Sequence, residues 1–177
     1  MSFHTIRRGG PYFRVADPSW EDPLEGEHSK AHGGRWNQSG SFPVVYLNAT
    51  YSVARTNVLR KYVGLPYGPE DLDPDAAPVL VEAEVPDDEF ADVVTDEGCI
   101  AAGFPDSYPR RPDGETIGWQ QCQPIGQRAW DEGLPGIACR SAAPGAARDD
   151  EELAWFQRGR ALQRLGVHEF DDWFWPK

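Results

Sequence analysis

Apolar positions along this chain fall into short runs separated by long polar stretches. Tyr12 to Ala16 reads as a first strand, broken by Asp17-Pro18, and the polar residues Ser19 to Gly34 read as a loop. Val44 to Leu47 is a short buried strand. Thr50 follows as an N-cap, because its hydroxyl can accept from free N–H groups of a first helical turn. Ala54, Val58 and Tyr62 recur four apart and predict a helix that stops before Gly64. Residues 64–78 carry too much proline and aspartate for regular structure. Val79 to Val85 alternates as a strand does, with Pro86 as its expected end.

Residues 104–120 read as a second long loop. Gln123 to Glu132 reads as a helix, with Pro124 in its first turn and Gly133 after its end. Gly136 to Arg140 predicts a strand. The aromatic run within Glu152 to Phe156 favours a strand over a helix, and the aromatic tail Phe170 to Trp175 should pack onto the body. Strands come from both ends of the chain with two clear helices between them. This predicts an α+β fold, a mixed sheet with a few short helices and long loops. Neither GxGxxG nor a Walker A motif is present, which disfavours a doubly wound sheet.

The 177 residues fit one domain, and 40% hydrophobic content suffices for one core. A net charge of −12 repels polyphosphate backbones, so direct nucleic-acid binding is not expected, whereas a basic partner protein suits it. Three cysteines, Cys99, Cys122 and Cys139, form no CxxC and fit reduced thiols in a cytoplasm. The N-terminus lacks an apolar signal region, and no apolar run approaches the roughly 20 residues that span a bilayer. His28 and His32 lack a third ligand in any metal motif and read as loop residues, so no metal is expected. Cys139 reads as a buried inert thiol, and the acidic stretch Glu70 to Asp75 as a solvated loop.

The chemistry concentrates in Gly33-Gly34-Arg35-Trp36-Asn37 and the following Val45-Tyr46-Leu47. Arginine grips phosphate through a planar fork of donors that stays charged at physiological pH. Trp and Tyr add flat apolar surface with one polar handle each. Together these residues suggest a pocket for something anionic and aromatic, such as a nucleotide. The bland alternatives are a bracing role for Arg35, core packing for Trp36 and Tyr46, and a turn cap for Ser141.

The order of Tyr12-Phe13-Arg14-Val15, the GGRWN segment, Val45-Tyr46-Leu47, Ala54 and position 57, and Gly136-Ile137-Ala138-Cys139-Arg140-Ser141 resembles the RES domain family. The segments Glu152 to Phe156 and Phe170 to Trp173 resemble it too, so the likeness spans nearly the whole chain as a single domain, 1–177. The resemblance implies a fold similar to the ADP-ribosyltransferase core and an enzyme acting on NAD+. Such enzymes split NAD+ with phosphate, or transfer ADP-ribose to a protein, as toxins of toxin–antitoxin pairs with an Xre-like antitoxin partner. It carries Arg14, Arg35, Tyr46 and Ser141 over as site residues, with Arg14, Arg35, Trp36 and Tyr46 against the nucleotide. The family glutamate should stand where this chain has Asn57. An amide keeps hydrogen bonding but offers no charge to a cationic transition state. The domain then binds NAD+ without splitting it, turns it over slowly, or uses another acid, for which Glu82 and Glu84 on one strand face are candidates.

Overall fold

The computed structural model describes residues 2–176. In chain order the elements are β1 (Thr5–Ala16), α1 (Glu27–His32), β2 (Val44–Asn48), α2 (Tyr51–Leu59), β3 (Val79–Val93), α3 (Asp96–Ala102), α4 (Trp119–Asp131), β4 (Gly136–Arg140), β5 (Glu151–Phe156), β6 (Gln163–His168) and α5 (Phe170–Trp173). The sheet runs β1-β2-β5-β4-β3-β6, and β1 also pairs with β3. The first five strands therefore form a closed circuit, with β6 added on the outer side of β3. Only β3–β4 is parallel; every other pairing is antiparallel. The result is the expected α+β fold with a mixed sheet.

Several expectations hold in detail. The β2, β4 and β5 runs are strands, and Thr50 caps α2 by accepting the Val53 N–H at 3.2 Å. The helix ends at Leu59, and Arg60–Tyr62 continues as a 3₁₀ turn. The aromatic tail packs onto the body: Phe170, Trp173 and Phe174 are buried with Ala54, Val58, Ala77 and Leu80.

Other boundaries move. The first strand begins at Thr5 instead of Tyr12, and β3 runs through Pro86 to Val93. Both extensions arise from one β-bulge. The register passes from Arg8↔Asp88 to Gly10↔Val85, so Pro86 falls where the ladder is interrupted and its missing N–H costs little. A side chain at Gly9 would meet Asp87 Cα at 2.7 Å, and Gly10 adopts φ +87°, so both glycines serve the bulge.

The stretch read as a loop at Ser19 to Gly34 contains the short helix α1. Its turn is set by a tertiary contact: buried Ser29 donates to the Val44 carbonyl at 2.7 Å and accepts the Val44 N–H at 2.9 Å. His28 and His32 consequently stand on one helix face, with ring centroids 4.3 Å apart. Helix α3, which apolar spacing did not suggest, is capped by Thr95 accepting from Gly98 N–H at 3.0 Å. Helix α4 starts at Trp119, earlier than Gln123, because Gln121 Oε1 accepts the Gly118 N–H at 3.0 Å. Pro124 thus lies inside the helix, not in its first turn. Strand β6 escaped notice because it is an edge strand whose residues are largely exposed.

Among the described residues, no helix is long and apolar enough to cross a membrane, and no group of three His, Cys, Asp or Glu side chains could hold a metal ion.

Candidate functional site

The GGRWN loop is built from its hydrogen bonds outward. Asn37 is fully buried; its amide donates to the Ser29 carbonyl at 3.0 Å and the Phe42 carbonyl at 2.9 Å. Its Oδ1 accepts the Tyr46 hydroxyl at 2.7 Å, and that hydroxyl accepts the Trp36 N–H at 3.0 Å. From the far side, Gln123 of α4 donates to the Gly34 carbonyl at 2.9 Å. Two glycines permit this closeness. A Cβ on Gly34 would lie 2.4 Å from the Tyr46 hydroxyl, and one on Gly126 would lie 1.8 Å from the Trp36 carbonyl oxygen. The loop is thereby clamped between β2 and α4 and projects Arg35 from a rigid base.

A cavity of about 250 Å³ opens in front of this loop, lined by Arg14, Arg35, Tyr46, Arg60, Trp119 and Glu152 among others. A neighbouring cavity of about 190 Å³ shares Arg14, Tyr46, Arg60 and Glu152 and adds Asn48, Asn57 and Lys61. A third, about 400 Å³, continues past Arg14 to Trp20 and His28. Joined through Arg14, they reach the size of small-molecule sites, roughly 300–1,000 Å³.

The two arginines singled out from sequence therefore face one cleft. Arg14 is 8% exposed and gives only Nη1 to the protein, to the Glu25 carbonyl at 2.9 Å. Burial lowers its pKa from the ordinary guanidinium value, yet arginine stays a cation at any physiological pH. Arg35 gives Nη1 to the Ile117 carbonyl at 2.8 Å and to Cys122 Sγ at 3.5 Å. Among the described residues, Nε and Nη2 of both side chains have no hydrogen-bond partner, so each keeps donors for a ligand. Arg140 differs: it is buried and spends its donors on the Val94, Asp106 and Tyr108 carbonyls and Asp96.

Tyr46 lines the cleft with its ring, while its hydroxyl is committed to the loop. Burial pushes its phenol pKa well up, so it serves as a neutral hydrogen-bonding group. Trp36 borders the cavity and takes the packing place that its sequence position also allowed. Its indole is 1% exposed and packs near Phe104 and Tyr108, so it forms core and cleft wall, not a stacking platform. The exposed indoles at the rim are Trp20, 42% exposed and 5.4 Å from the Arg14 guanidinium, and Trp119, 50% exposed. Ser141 is buried at the end of β4, its Oγ accepting the Ala143 N–H at 3.3 Å; the next residue, Ala142, reaches the cavity lining. Cys139 also lines the cavity, and burial first, then the Glu152 charge, raises its thiol pKa well above the usual range.

Asn57 lies in the cleft. Its amide donates to Asn48 Oδ1 at 2.8 Å, and Asn48 in turn donates to the Phe13 carbonyl at 3.1 Å. This chain orients the amide and leaves Asn57 Oδ1 without a partner. Neither Glu82 nor Glu84 lines these cavities. Glu82 instead meets His168 at 3.3 Å, beside Tyr51, where β6 and α2 flank β3. Glu84 pairs with Pro11 and Gln163 along the same strand. Glu152 is the acid that lines the two cavities nearest the loop, together with the cation Arg60, while Glu21, Asp22 and Glu25 line the third; the sequence reading assigned none of these to the site. Arg60 had a faint signal, standing one helical turn after Asn57. Glu152 had none, because its place depends on β5 pairing with β2.

Fold and site together define an α+β domain with a small-molecule-sized cleft in which Arg14, Arg35 and Arg60 converge. The RES domain model matches residues 11–174, and the chain belongs to the RES domain family. A solved structure, the toxin–antitoxin complex MbcT-MbcA of M. tuberculosis, contains a similar chain, with TM-score 0.72 and 25% sequence identity over 92% of this chain and 85% of that one. No curated protein sequence matches.

Proposed function

We propose that this chain, acting as a single RES-like domain, degrades NAD+ by breaking the nicotinamide–ribose bond, with phosphate as the acceptor. The observation that carries this reading is the convergence of Arg14, Arg35 and Arg60 on one cleft of a protein whose net charge is −12. Focused positive potential in an otherwise acidic surface selects a small, doubly charged anion over a polyanion. The forks of Arg14 and Arg35 suit a pyrophosphate or an incoming phosphate, and Trp20 and Trp119 offer stacking surfaces for the bases. The similarity to a chain of a toxin–antitoxin complex supports the further reading that the protein is a toxin restrained by a partner protein, and family membership supports an Xre-like antitoxin in that role.

A second reading rests on Asn57. With an amide where the family resemblance calls for glutamate, the domain binds NAD+ or ADP-ribose without turnover. Nicotinamide release from NAD+ by purified protein, measured with and without added phosphate, separates the two. Phosphate-stimulated release, abolished in Arg35→Ala, is the expected result. Saturable NAD+ binding in calorimetry with no release at any phosphate concentration would establish the second reading instead.

A further inference from the structure

We infer that Glu152 is the catalytic carboxylate of this cleft, supplying from β5 the negative charge that Asn57 on α2 lacks. The inference rests on the reading of the cleft as an NAD+-cleaving site and assigns it a residue.

Three observations place the group. Glu152 lines both cavities that Arg14, Tyr46 and Arg60 share. It stands opposite Asn48 across the β2–β5 ladder and opposite Cys139 across β4–β5, so the three side chains share a sheet face. Asn48 is the residue bonded to Asn57 at 2.8 Å, so acid and amide occupy adjoining places in the cleft wall. Among the described residues, the Glu152 carboxylate makes neither a hydrogen bond nor an ion pair, although its strand neighbour Glu151 is held by Arg8 at 2.6 Å. Glu152 is half-buried and has acceptor capacity directed to no protein group.

The reaction needs such a group. When the bond between ribose C1′ and the nicotinamide nitrogen breaks, its electron pair goes to the ring nitrogen and nicotinamide leaves neutral. Positive charge then develops on C1′ and the ring oxygen of the ribose. A phosphate oxygen supplies the pair for the new C1′–O bond, and any proton on that phosphate passes to solvent. Glu152 forms no covalent bond; its charge stabilises the cationic transition state, and its oxygens accept from ribose hydroxyls. The arginines hold the anionic parts, and Glu152, the acid lining both cavities that Tyr46 and Arg60 share, faces the part that becomes cationic.

The test is steady-state nicotinamide release by wild type, Glu152→Gln, Glu152→Ala and Glu82→Gln, paired with ADP-ribose binding by calorimetry. The expected result is a loss of about 10²–10³-fold in kcat for both Glu152 variants. ADP-ribose affinity should fall by a smaller factor than kcat, about that of the lost hydroxyl contact, and Glu82→Gln should match wild type. Glu152→Ala removes bulk without adding a clash, so it carries the test if Glu152→Gln does not fold. An active wild type with a Glu152 variant at half its kcat or more would overturn this inference and leave the proposed function standing. An inactive wild type would overturn the proposed function, and the role of Glu152 with it.

Discussion

Tyr46 on β2 donates its hydroxyl proton to Asn37 Oδ1 at 2.7 Å, across the base of the loop that carries Arg35. The Tyr46 hydroxyl oxygen accepts the Trp36 N–H at 3.0 Å, so one phenol ties a strand to both a side chain and the backbone of the loop. Tyr46 thus acts on the cleft in two ways, as ring wall and as clamp.

Tyr46→Phe keeps the ring and deletes the clamp. It leaves buried Asn37 Oδ1 and the Trp36 N–H without this partner, so a stability loss of about 1–3 kcal/mol is expected. Urea denaturation measures it. Because the Arg35 loop loosens, nicotinamide release should fall as well, while Arg35→Ala should lose release with little change in the urea midpoint.

Gly34→Ala tests the same junction from the other side. Its Cβ would lie 2.4 Å from the Tyr46 hydroxyl and 2.7 Å from two ring carbons, so loop and ring must move apart. Overpacking of this kind costs about 1–3 kcal/mol. A lowered melting temperature together with weakened ADP-ribose binding is expected; unchanged values for both would refute the tight approach.

Arg60 is exposed on the 3₁₀ turn after α2, and its charge reaches both cavities. A charge-assisted hydrogen bond is worth about 1.5–3 kcal/mol, the lower end applying to an exposed side chain. Arg60→Ala should weaken ADP-ribose binding about tenfold at low salt. The difference should shrink as salt screens it. Calorimetry at two ionic strengths reads both effects.

The Asp96–Arg140 pair predicts a pH dependence. Hydrogen bonding from Arg140, with the charge of Arg148 added, holds the Asp96 pKa below its ordinary value of 3.8. A depressed folded pKa stabilises the native state above the unfolded value, and that contribution fades as pH falls through the folded one. Asp96→Asn should therefore lower stability near neutral pH and flatten the decline of stability below about pH 4. Thermal melts from pH 7 to pH 3 give the comparison.

Much of this molecule was legible from residue order alone. The short β2, β4 and β5 runs declared themselves because buried strands need consecutive apolar side chains, and Thr50 announced α2 because a cap is a local hydrogen bond. Arg14, Arg35, Tyr46 and Asn57 could be picked out by chemical type and by their likeness to a family, and all four line the joined cavities. The bulge that carries β1 and β3 past Pro86 was hidden, because a proline reads as a stop until a partner strand accommodates it. Helix α1 was hidden for a similar reason: Ser29 binds Val44, fifteen residues on, and no local propensity encodes that. Trp36, for which the residue order left core packing open, became core and cleft wall when Phe104 and Tyr108 closed around it. Glu152 became a cleft residue only when β5 paired with β2 and brought it opposite Asn48. Composition and local spacing are properties of neighbours in the chain, and they marked out three strands, the α2 cap and the residue types of the cleft. Which charges meet across the cleft depends on strand order and register, which arise from contacts between distant segments.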